Sequence, residues 1–258
     1  MTAFLTLPLA IIFAVSVMAM AAAIEAGRML GRWAHRRGGD DISTLEGAVL
    51  GLLALIIGFT VAISISRYDL RREAILQEAN AIGTAALRAS LLPSPHDAEA
   101  LAALRRYTAL RETLTDAIDR PAELQAVIDG SNAILDDLWR GARAVAAVND
   151  AMVPTGLYIQ ALNELIDNQE TRLAALRSRV PPIVLAALYG IALVANAFVG
   201  YAGGQGPTRR RLPLHIVGLL IAAVILLIQD LDRPNAGFIV TSQQPLIDAA
   251  AALRSIGN

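Results

Sequence analysis

The sequence contains no cysteine and no lysine. Without cysteine there is no disulfide framework, no thiolate metal site and no thiol nucleophile. Histidine is scarce, and His35, His96 and His215 stand far apart, so neither a histidine metal centre nor any other cofactor is expected. Charge of one sign is also missing: 22 basic residues face 23 acidic ones, for a formal net charge of −1. Every basic residue is arginine, and no arginine cluster is interleaved with aromatics, so nucleic acid is not an expected partner. Gly203-Gly204-Gln205-Gly206 reads as a turn before a basic run, too short for a phosphate loop. Asp136-Asp137 and Asn163-Glu164 with Asp167 have no histidine or cysteine beside them, and no serine sits in a nucleophile elbow. An enzyme is not expected.

What the chain has in excess is apolar sequence. Hydrophobic residues make up 55% of it and the mean hydropathy is +0.51, above an ordinary soluble domain. The excess gathers in four runs: Ala3 to Ile24, Leu45 to Ser66, Ile183 to Tyr201 and Leu212 to Ile228. About 20 helical residues cross the hydrocarbon core of a bilayer, so each run is a spanning candidate and the lipid bilayer is the expected solvent. The first run lacks a preceding basic residue and is longer than a signal-peptide core, which favours a retained span. The second carries Gly47, Gly51 and Gly58, which predict close approach by another helix. The third holds one polar residue at depth, Asn196.

Between the second and third runs, residues 67–179 hold 13 arginines and 16 acids, a mixed-charge surface on helices whose apolar residues recur at helical spacing. Prolines at 93, 95, 121 and 154 break this stretch into about four helices, with Thr155 a possible cap for the last. No proline interrupts the chain from the second run to residue 90, which predicts one long helix. Residues 155–179 are expected to feed the third run through a kink at Pro181-Pro182. The expected fold is all-α: spanning helices in 1–66, an extramembrane helical stalk in 67–179, spanning helices in 180–229, and a tail with a short helix in 230–258. Asp230, Asp232 and Arg233, just past the last span, admit a packing ion pair, a cation site at a pore mouth, or neither.

Arginines 28, 32, 36 and 37, with 209, 210 and 211, sit in the two short links. The positive-inside rule therefore places the links in the cytoplasm, and the termini and central domain outside.

Leu55-Ile56-Ile57-Gly58-Phe59, Arg67-Tyr68-Asp69, Arg72 and Glu78-Ala79-Asn80 resemble the second membrane helix of the bestrophin channels and the stretch after it. Those channels carry a pore-neck phenylalanine, then an arginine with aromatics, a second arginine and an asparagine. More of the chain is similar to a bacterial membrane family of unknown function described as bestrophin-like. Glu46-Gly47, Glu78 to Thr84, Asp230 to Pro234 and Ser242-Gln243-Gln244-Pro245 carry that likeness. Two features depart from bestrophins: Tyr68-Asp69 stands where many have paired tryptophans, and no acidic run matches the calcium clasp of the animal proteins.

The resemblance implies a homo-oligomer, specifically a pentamer, in the cell's inner (plasma) membrane, forming a gated pore for anions or other small ions. It implies a pore lined by Gly51, Leu55 and Phe59, with Phe59 innermost, gated by dewetting of apolar rings. Gly51 in place of a bulky neck residue implies a wider layer there. For Leu55 and Phe59 the plainer alternative is lipid contact or helix packing. Arg67, Arg72, Asn80, Asp230, Asp232 and Arg233 are the residues assigned to a vestibule or to the family motif. Arginines 67, 71 and 72 are offset by Asp69, Glu73 and Glu78, so the sign of the permeant ion stays open. The resemblance also places the central domain in the cytoplasm, against the loop-charge rule. The competing function is a non-conducting scaffold or signalling protein whose helical domain binds a partner.

Overall fold

The structure, a computed structural model, describes residues 7–38, 42–205 and 211–256. The chain is an all-helical, polytopic membrane protein, and nine α-helices occupy the described residues: α1 Leu9–His35, α2 Ser43–Ala89, α3 His96–Glu112, α4 Leu114–Ala117, α5 Pro121–Val148, α6 Leu157–Arg177, α7 Pro182–Gln205, α8 Arg211–Asp232 and α9 Gln244–Ser255. Stretches of α1, α2, α7 and α8 are long and apolar enough to cross a membrane. The first residues of the N-terminal apolar run, Arg209, Arg210 and Gly206 lie outside the described residues.

The helices fall into two units. The first comprises residues 1–66, 179–233 and 237–239. Its closest packing joins α1 to α7 through glycine on both sides. A Cβ on Gly27 or Gly31 would collide with the carbonyls of Ala197 and Tyr201, and one on Gly200 or Gly204 with those of Ile24 and Arg28. Both helices thus carry a G-x-x-x-G stripe. In lipid, where apolar burial supplies no drive for helices to associate, such backbone proximity supplies van der Waals attraction instead. Within a single chain the glycines predicted for this task, Gly47, Gly51 and Gly58, meet no helix: a Cβ on any of them would find nothing within 4 Å.

Polar side chains in this unit find partners within it, while the amide oxygens of Asn196 and Gln229 are buried without one. Ser16 donates to the Ile12 carbonyl at 2.7 Å and lies 2.8 Å from the Tyr189 hydroxyl. The Tyr189 hydroxyl also accepts from Gln229 Nε2 at 2.8 Å. Asn196 donates to the Ala192 carbonyl at 2.8 Å. Thr60 and Ser64 donate back to the carbonyls of Ile56 and Thr60. With no water in the hydrocarbon core, such internal closure is what lets these side chains reside there.

The second unit comprises residues 67–178, 234–236 and 240–258. Its core includes Ile75, Ile82, Leu101, Leu104, Tyr107, Leu138, Val145, Leu162 and Leu165, joined by Leu246 and Leu253 of α9. Arg105 holds the end of α9 by donating to the carbonyls of Leu253 and Ile256. A cation there satisfies carbonyls that a helix C-terminus leaves open. The proline breaks fall where predicted, and the Ser94-Pro95 and Val153-Pro154 bonds are both cis.

The predicted continuous helix is present: α2 runs unbroken for 47 residues. The predicted kink at Pro181-Pro182 is instead a full interruption. Ser178 turns extended (φ −72°, ψ 114°) and α7 restarts at Pro182. Consecutive prolines remove two amide donors and push the preceding residue out of the helical region. Gly203, Gly204 and Gln205 are helical rather than a turn, because Gly204 is needed against α1. Thr155 is buried but caps nothing: the residue before α6 is Gly156, and no side-chain cap bond forms there.

Candidate functional site

Along α2 inside the membrane unit, Leu53, Thr60 and Ser64 face inward and are nearly inaccessible. The opposite face carries the candidate pore residues. Leu55 is 55% and Phe59 63% exposed, and Gly51 is exposed as well. Of the most apolar 18-residue window of α2, only 17% is buried, against 28%, 39% and 33% in the other three spans. This is the span least covered by its own chain. Its bare face is apolar, so its cover must come from lipid or from other copies rather than from water.

Beyond Ser66 the structure separates the predicted vestibule residues. Arg67 is half-buried and donates to the Ser178 hydroxyl. Arg72 and Asn80 are exposed. Arg71 is buried, as is Glu78, which the sequence had counted among the acids offsetting the vestibule arginines. Glu78 is the centre of a closed polar cluster. Its Oε1 accepts from Arg111 Nε at 2.6 Å and from the Tyr107 hydroxyl at 2.7 Å. Its Oε2 accepts from Arg172 Nη1 at 2.8 Å. Arg172 Nη2 reaches on to Gln243 Oε1 at 2.9 Å, and Gln243 donates to Thr115 at 3.1 Å. Gln169 donates to Asn132 at 2.7 Å and closes the other side.

Burial pushes the Glu78 carboxyl upward, but the guanidiniums of Arg111 and Arg172 outweigh it and hold the group below the ordinary glutamate range. Burial, reinforced by the Glu78 charge, pushes the Tyr107 hydroxyl well above the usual tyrosine range. Burial also lowers Arg172 from the usual arginine value. A lone buried carboxylate would be costly; between two guanidiniums it is the counter-ion that allows them inside. The cluster therefore pins α2, α3 and α6 together, and Gln243 ties in the segment leading to α9.

Asp230, Asp232 and Arg233 are occupied with backbone. Asp230 accepts from the amides of Phe238 at 2.9 Å and Ile239 at 3.1 Å. Gly237 between them has φ +142°, and a Cβ there would strike Asp230 Oδ1, so glycine is required by both backbone and space. Asp232 accepts from the Val180 amide at 2.7 Å, at the interruption before α7. Arg233 donates to the Leu7 carbonyl at 2.7 Å. Both aspartates are buried. Their observed work is to satisfy amides that no helix serves.

Sequence reasoning missed Tyr107, Arg111, Gln169 and Arg172 as a group. The signal was present: Leu104, Tyr107, Thr108, Arg111, Leu114 and Thr115 recur at three- and four-residue steps, as do Leu165, Gln169, Arg172 and Leu176. A charged residue on the apolar stripe of an amphipathic helix signals a buried pair. Among the described residues no group of three or more His, Asp or Glu converges as metal ligands would.

A family model described as a Bestrophin-like domain matches residues 9–246. No curated protein matches the chain. Among solved structures, it is similar to a bacterial bestrophin homologue from Klebsiella pneumoniae at 15% identity and TM-score 0.67, with 95% of this chain and 97% of that one covered. A point variant of the same homologue gives 15% identity and TM-score 0.69, covering 96% and 99%. A structure described as a membrane protein gives 16% identity and TM-score 0.68, covering 97% and 99%. At these identities the likeness is one of fold.

Proposed function

This chain belongs to the bestrophin-like family, and from that premise we propose that copies of it assemble, as a pentamer on the bestrophin pattern, around an ion pore lined by α2. The observation that carries the proposal is the bare apolar face of α2, with Leu55 and Phe59 standing outward from the least covered span. Rings of Leu55 and Phe59 would form an apolar neck that empties of water when narrow and conducts when it widens. Gly51, two turns away from Phe59, has open space above it and would leave a wider layer.

On the same pattern, residues 67–178 lie in the cytoplasm. The link arginines speak for the opposite side; of them, Arg28 is buried in α1 and paired with Glu25 at 2.7 Å.

The test is the mass of the purified protein in detergent, together with salt-gradient currents after reconstitution. A five-copy assembly whose currents rise or lose rectification in Phe59→Ala is the expected result. A monomer or dimer without current would overturn the proposal. That outcome would favour a partner-binding scaffold, for which the exposed Leu87, Leu91, Val148 and Met152 offer an apolar surface.

A further inference from the structure

Inside the helical unit of residues 67–178, a hollow of about 250 Å³ lies between α3 and α5. It is open because the residues lining it from the two helices are small. Ala100 and Ala103 of α3 are buried, and a Cβ on Gly141 of α5 would meet nothing within 4 Å. Leu92 and Leu138, both buried, add apolar wall. Tyr158 of α6 completes it, and the Tyr158 hydroxyl is buried with no hydrogen-bond partner in the protein. Buried tyrosine hydroxyls ordinarily have one. This one is left for whatever fills the hollow.

The rest of the lining carries charge of both signs: Arg106 and Arg140, Glu99 and Asp137, with His96 beside them. Asp137, which stands in the sequence without a neighbouring histidine, thus shares the hollow with one. Asp137 meets Arg140 at 2.6 Å, and Glu99 lies 3.4 Å from His96 Nδ1. Both are contacts within one turn of a helix at the surface, which contribute little and re-partner readily. Arg106 makes no ion pair among the described residues.

We propose that this hollow binds a small zwitterion of the amino-acid type with an aliphatic side chain. Its carboxylate would meet Arg106 and Arg140 and accept from the Tyr158 hydroxyl, its ammonium would meet Glu99 and Asp137, and its side chain would lie on Ala100, Ala103 and Leu138. A polyanion would confront two carboxylates and a metal ion two guanidiniums, whereas a zwitterion offers every one of these groups an opposite charge. The volume suits a molecule smaller than a nucleotide.

The test is titration of the full-length protein in detergent with L-leucine, read by calorimetry and by melting temperature, since a ligand of the folded state alone raises the latter saturably. The controls are 4-methylpentanoate and isopentylamine, which keep the shape of leucine and lack one charge each. Leucine should bind, and both controls at least about tenfold more weakly. Arg106→Gln should weaken leucine about tenfold and Tyr158→Phe about three- to tenfold. Arg143→Gln, an exposed arginine of α5 outside the lining, should change nothing. Gly141→Leu should fold, because its Cβ has open space, and should abolish binding by filling the hollow. No saturable binding of leucine overturns the proposal, as does binding that survives Gly141→Leu. Equal binding of 4-methylpentanoate overturns the zwitterion and leaves a simple anion site.

Discussion

At the residue scale, the buried Glu78 is the most consequential side chain outside the membrane unit. Replacing it by glutamine leaves Arg111 and Arg172 buried without a counter-ion, a change that costs about 3–5 kcal/mol in comparable settings. Thermal unfolding in detergent should show Glu78→Gln destabilised by an amount of that order. Tyr107→Phe, which removes only a donor to the carboxylate, should cost about 1.5–3 kcal/mol. The pH dependence has a definite sign. Glu78 is held below its ordinary value of 4.5 in the folded protein, so the native state binds the proton less readily than the unfolded chain. Its stabilisation is fully present above that ordinary value and is lost as pH falls toward the depressed folded value. The stability of the wild type should therefore drop through this acid range, whereas Glu78→Gln should be flatter there.

At the element scale, two sets of glycines in similar-looking spans do opposite things. Gly27, Gly31, Gly200 and Gly204 let α1 and α7 meet backbone to backbone, whereas Gly47, Gly51 and Gly58 face open space. Gly200→Val should force the helices apart and destabilise the protein by about 1–3 kcal/mol or more, visible as a lower melting temperature in detergent. Gly51→Ala should leave that temperature unchanged in a dissociated subunit, since its methyl meets nothing. Equal losses in both variants would contradict this division of roles. Spacing alone made the two sets equivalent, because a G-x-x-x-G stripe marks a face that can be approached but not which helix approaches it.

At the scale of the whole molecule, sidedness is the open quantity, and a chain without cysteine is well suited to measuring it. Ala126 and Arg36 are both exposed, and four spans put them on opposite sides of the membrane. If residues 67–178 are cytoplasmic, Ala126→Cys should resist a membrane-impermeant thiol reagent in intact cells and react once they are permeabilised. Arg36→Cys should react in both conditions. The reverse pattern would restore the loop-charge orientation.

The helical membrane architecture was legible from residue order alone: four apolar runs of spanning length and proline-free stretches that predict long helices are properties of composition and period, readable without contacts. Residue order also exposed Phe59 and Leu55 as neighbours on one helical stripe. Tertiary structure alone decided which glycines touch a helix, that Asp230 and Asp232 serve backbone amides, and that Glu78 lies between arginines from two other helices. Those assignments depend on residues 33, 52 and 94 positions apart in the chain meeting in space. Local spacing places a side chain on a face of its own helix; only the packing of separate helices decides what that face meets, and therefore whether a charge stays free or is neutralised.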